Sequence, residues 1–84
     1  MKHIANVQII LYFTILIEPD GSEFHAYSPQ LKGLHVQAET VKKTVLDATD
    51  ATRVYVESLI KHGEPLPKDT SVSVISTDKA TTLT

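Results

Sequence analysis

The chain has 84 residues, 42% of them hydrophobic and 21% charged, with 8 Lys+Arg against 10 Asp+Glu and no Cys. A domain of this size buries only about 60 to 65% of the surface of its unfolded chain, so a single layer of helix on sheet is near the ceiling of what it builds alone. The slightly acidic balance gives no footprint for a phosphate backbone, and the missing Cys excludes disulfides, thiol catalysis and thiolate metal sites together.

The first apolar stretch, IILYFTILI at 9–17, is too short to span a bilayer, which needs about 20 apolar residues. The EPDGSEF after it offers no small-x-small cleavage site. It reads as a strand, and no membrane partner is expected. Val7, Ile9, Leu11, Phe13, Ile15 and Ile17 alternate as one unbroken apolar face, predicted to be core, while Gln8, Ile10, Tyr12, Thr14, Leu16 and Glu18 form a mixed one. Pro19, Asp20 and Gly21 predict a tight turn. On the second strand Phe24 and Ala26 face one way and Glu23, His25 and Tyr27 the other; on the third, Leu34, Val36 and Ala38 alternate with His35 and Gln37. In the loop between them Pro29 keeps Ser28 extended, Leu31 is expected to fold back as an apolar plug, and Gly33 to take a positive φ.

Thr40 is placed to cap a helix whose apolar stripe is Val41, Val45, Ala48, Thr52, Tyr55, Val56 and Leu59, running from about 41 to 62. Gly63 supplies the left-handed residue after the last turn, Pro65 and Pro67 forbid continuation, and His62 sits where a partial positive charge is favourable. SVSVIS at 71–76 predicts a short fourth strand, and residues 77–84 are a polar tail. The expected fold is therefore α+β, one two-layer domain over 1–76 in the order β-β-β-α-β. An antiparallel three-stranded meander and a short fourth strand carry one helix on one face.

The other face is left without a cover. Projected onto it are Ile10, Tyr12, Leu16, His25, Tyr27, His35 and Gln37, the candidates for a partner or oligomer interface. His25 and His35 are expected to be neighbours there, a pair suited to a weak metal site or a pH-sensitive contact, but short of the three protein ligands a stable zinc site needs. There is no glycine-rich phosphate loop, no G-x-S-x-G elbow and no helical His pair at metal spacing. No enzymatic role, metal or cofactor is expected.

The segments IEPDG (17–21), AYSPQLKG (26–33), ETV (39–41) and YVESLIKHGEPLP (55–67) resemble, in order and spacing, the N-terminal domain of HicB-family antitoxins. The chain departs from that family at Ser28 and Leu34, where Cys is frequent, at Lys32 and Ala38, where Pro and Gly are, and at Lys42 and Lys43, where the first helical turn is usually acidic. The resemblance implies a cytoplasmic antitoxin that neutralises a HicA-like toxin, a small basic RNA-cleaving protein, by covering it in a stable complex. Glu18, Asp20, Glu23, Asp47, Asp50 and Glu57 are the acidic groups available for such a contact. Many HicB proteins bind DNA through a C-terminal domain; with eight residues after Ser76, no direct DNA binding is expected here. Self-association as a homodimer or higher oligomer is expected through a strand edge or the open face. Two alternatives stay open: a stand-alone oligomeric scaffold or small-ligand sensor of the same family without a toxin partner, and a small RNA-binding domain.

Overall fold

A computed structural model describes residues 6–76; the polar tail at 77–84 lies outside the described residues. The elements run β1 (Val7–Tyr12), β2 (Leu16–Asp20), β3 (Glu23–Tyr27), β4 (His35–Ala38), α1 (Val41–Lys61) and β5 (Ser71–Ser76). The antiparallel meander expected from the sequence is β2-β3-β4, and α1 packs on its β3 and β4 strands.

The first strand is not continuous. It breaks at 13–15, and its two halves enter different sheets: β2 leads the meander, whereas β1 pairs with β5 in a separate antiparallel two-stranded ribbon. The break is held by a residue far away in sequence. The Gln30 side-chain oxygen accepts from the Thr14 backbone N–H at 2.7 Å, and its amide donates to the Asp69 carbonyl at 3.2 Å. One side chain thus ties both roots of the ribbon to the β3–β4 loop. The alternation survives the break, because Leu11, Phe13 and Ile15 all pack on the core; Val7 and Ile9, expected in that core, are exposed because the ribbon carries them past its edge.

The hairpin also closes one step later than expected. Pro19 and Asp20 are still paired with Phe24 and Glu23, leaving Gly21 and Ser22 as the two-residue turn. Only Gly21 has a positive φ, +63°, which is the pattern of a type II′ hairpin turn. Pro19 is tolerated inside a strand because β2 lies at the sheet edge.

The helix ends follow local chemistry. The Thr40 hydroxyl accepts from the Lys43 N–H at 3.0 Å. At the other end Glu64 N–H donates to Leu59 O at 2.9 Å and Gly63 N–H to Ile60 O at 3.2 Å, a Schellman motif with Gly63 at φ +67°. His62 adds a contact of 2.8 Å from ring Nδ1 to Ser58 O. The buried stripe differs in phase from the sequence expectation at its start: Thr44, Ala48 and Val56 are buried, while Val41 and Val45 are exposed. Thr44 tolerates complete burial because its hydroxyl donates to Thr40 O at 2.7 Å. The buried positions of β3 and β4 on the helix side, Ala26 and Ala38, are small as well.

The larger side chains gather at the other end, where Leu31, Leu34 and Val56 form the core with Phe13, Ile15, Tyr55 and Leu66 around them. Leu31 is 1% exposed, the plug the sequence predicts. Two backbone N–H groups, of Gln30 and Leu31, donate to the Ser28 hydroxyl at 3.2 Å each. Leu34 N–H returns to Leu31 O, Gly33 has φ +81°, and the Tyr55 hydroxyl donates to Lys32 O at 3.0 Å. The loop is folded onto the helix rather than held open.

Candidate functional site

Among the described residues nothing covers the sheet face opposite α1, and strand register decides what that face carries. Leu16, Tyr27 and His35 lie in one cross-strand row, Glu18, His25 and Gln37 in the next, and Asp20 opposite Glu23 at the hairpin end. All eight side chains project away from α1, because Ile17, Ala26, Val36 and Ala38 occupy the alternate positions. Of the seven interface candidates, the structure brings together Leu16, His25, Tyr27, His35 and Gln37. It does not bring Ile10 and Tyr12 to them: the break at 13–15 places both in the ribbon.

Stripped of those two, the face is acidic and aromatic rather than semi-apolar. The His25 and His35 rings lie nearly parallel, 5° apart, with Nε2 of His25 at 3.0 Å from Nδ1 of His35. One ring must donate and the other accept, so Nε2 of His25 and Nδ1 of His35 take opposite hydrogen-bonding roles. Tyr27 stacks on His25 at a centroid distance of 5.5 Å, and Glu18 Oε1 lies 3.7 Å from Nδ1 of His25. Gln37 donates to Asp20 Oδ2 at 3.3 Å. Among the described residues no group of three or more His, Cys, Asp or Glu is arranged to hold a metal ion.

The helix carboxylates sit elsewhere and are already engaged. Asp47 faces Lys43 at 3.7 Å, while Asp50 and Glu57 flank Arg53 at 2.6 and 3.4 Å. The hydrogen bond from Arg53 to Asp50, helped by the charges of Asp50 and Glu57, holds the guanidinium above its ordinary value. Pro29, Leu31, Gly33, Thr40 and Gly63 belong to the loop and the caps described above. Sequence reasoning missed Gln30, which carries no local signal, and gave Ser28 only an extended backbone where its hydroxyl anchors the turn.

Among curated proteins, 62 residues are 40% identical to a UPF0150 protein of Synechocystis sp., an alignment over 71% of this chain and 77% of the relative. A UPF0150 protein of Thermoplasma acidophilum is 32% identical over 63 residues, covering 74% of this chain and 91% of that one. The chain belongs to the UPF0150 family. No family model matches, and no solved structure matches. The names of these UPF0150 relatives specify no activity or partner. No helix among the described residues is long and apolar enough to cross a membrane.

Proposed function

We propose that this UPF0150 chain is a HicB-like antitoxin domain, which binds a small basic RNA-cleaving protein and inhibits it by covering it. One observation carries the reading: Glu18, Asp20 and Glu23 converge on the uncovered sheet face beside Tyr27 and the histidine pair, and β2, β3 and β4 contain no Lys or Arg. A face of three carboxylates and stackable rings is complementary to a cationic surface shaped to hold RNA. Such complementarity raises the association rate and fixes register, while Tyr27 supplies an aromatic anchor of the kind found at interface centres. The same charge pattern disfavours the RNA-binding alternative, because a polyanion would meet carboxylates on the open sheet. The motif resemblance over 17–67 supplies the identity of the partner class.

The test is co-expression with the product of a neighbouring small basic gene. The chain is expected to co-purify with it and relieve its growth inhibition, and Glu18→Lys with Asp20→Lys is expected to abolish both while the helix signal in circular dichroism is kept. Failure of the unmodified chain to bind or to relieve inhibition refutes the proposal.

A further inference from the structure

Among the described residues, nothing covers one face of the ribbon. Ile9 pairs with Val74, Leu11 with Val72 and Val7 with Ser76, so Val7, Ile9, Leu11, Val72 and Val74 share one side. Leu11 is anchored on the core at the ribbon root, and beyond it Val7, Ile9, Val72 and Val74 are 47%, 65%, 56% and 62% exposed. The opposite side alternates Gln8, Ser71 and Ser73 with Ile10, Tyr12 and Ile75. An isolated two-stranded ribbon is marginal in water, and stability comes from a further strand or from packing of its apolar face.

We propose that this face packs against the same face of a second copy of the chain, two ribbons stacking about a twofold axis with Ile9 and Val74 at the centre. Two observations select this occupant. The four exposed residues leave on the order of 400 Å² of surface bare, main chain included, so two copies bury at most about 800 Å², a large part of a standard interface of roughly 1,200 to 2,000 Å². VQIILY and SVSVIS contain no charged residue, so the face is neutral and self-complementary, as a twofold contact requires. On the open sheet face, by contrast, self-apposition sets the carboxylates of Glu18, Asp20 and Glu23 against their own copies. Self-association thus uses a surface separate from the acidic face, and both can be occupied together.

The experiment is sedimentation equilibrium on the full chain, unmodified and as Ile9→Asp, Val74→Asp and Ser73→Asp. The unmodified chain and Ser73→Asp, on the opposite side, are expected at an even multiple of the chain mass, and the other two at half the unmodified value with the helix signal kept. Because the chain has no Cys, Val74→Cys introduces a single thiol, and a short bismaleimide is expected to join two copies through it but not through Lys61→Cys on the helix. A monomeric unmodified chain, an unchanged mass for Val74→Asp, or equal cross-linking at both cysteines overturns the proposal. Loss of toxin binding with retained mass leaves this inference standing and refutes the other.

Discussion

Leu31→Ala isolates the structural role of the β3–β4 loop. The side chain is 1% exposed and contacts the Leu34 and Val56 cluster. Deleting three carbons removes about 2 kcal/mol of transfer free energy at ~0.8 kcal/mol per methylene. The loop cannot collapse freely into the gap, because Ser28 holds the backbone N–H groups of Gln30 and Leu31 and Tyr55 holds the Lys32 carbonyl. If half the lost volume, roughly 40 Å³, persists as a cavity, it adds about 1 kcal/mol at ~24 cal/mol per Å³. The expected destabilisation is therefore about 3 kcal/mol, a large share of the roughly 4 to 12 kcal/mol available to a domain of this length. The fall in Tm is expected to be about 12 to 24 °C. Urea unfolding followed by circular dichroism, at one fixed protomer concentration because association shifts the midpoint, measures it. Leu46→Ala, at an exposed helix position, is the comparison and is expected to change stability by no more than about 0.5 kcal/mol. A loss below about 1 kcal/mol for Leu31→Ala, or an equal loss for both, refutes the plug.

Thr40→Ala removes the acceptor for Lys43 N–H and is expected to cost about 1 kcal/mol in the same unfolding assay. Gly33→Ala meets no atom within 4 Å but must hold φ +81°; a loss of about 1 to 2 kcal/mol is expected from backbone strain alone, and Gly33→Asn is expected to recover part of it. Gln30→Ala is expected to leave global stability within about 1 kcal/mol while amide exchange at Thr14 speeds up in hydrogen-exchange mass spectrometry or NMR. No change in exchange there removes Gln30 as the tie at the ribbon root.

Elements whose cause lies within a few residues were legible in the sequence. Thr40, Gly63 and the prolines after it define α1 because capping is local, and Leu31 and Gly33 follow from Pro29 and the strands on either side. The break after Tyr12 was not legible, because apolar alternation from Val7 to Ile17 continues through it and a pattern of period two is blind to a change of sheet. Gln30 bonds at the break through partners that lie 16 and 39 residues away. The same blindness placed Ile10 and Tyr12 on the open face with Tyr27. Thr44 was missed for another reason: periodicity scores apolar character, whereas this polar residue is buried with its hydroxyl satisfied by the Thr40 carbonyl. The open face kept its membership from Leu16 onward, but its acidic character emerged only when register set Glu18, Asp20 and Glu23 together.

Pairing of β1 with β5 joins Val7 to Ser76, which sets an order on biosynthesis. β2, β3, β4 and α1 can assemble from neighbours in sequence, but VQIILY must wait for the segment that completes its ladder. At about 5 to 20 residues per second, some 60 residues of translation leave this uncharged, β-prone strand without its partner for roughly 3 to 12 s. Such a window has the composition of an aggregation-prone segment, so the nascent chain is expected to be a chaperone client during that interval, and an early stop before Ser71 to yield insoluble product rather than a shorter soluble domain.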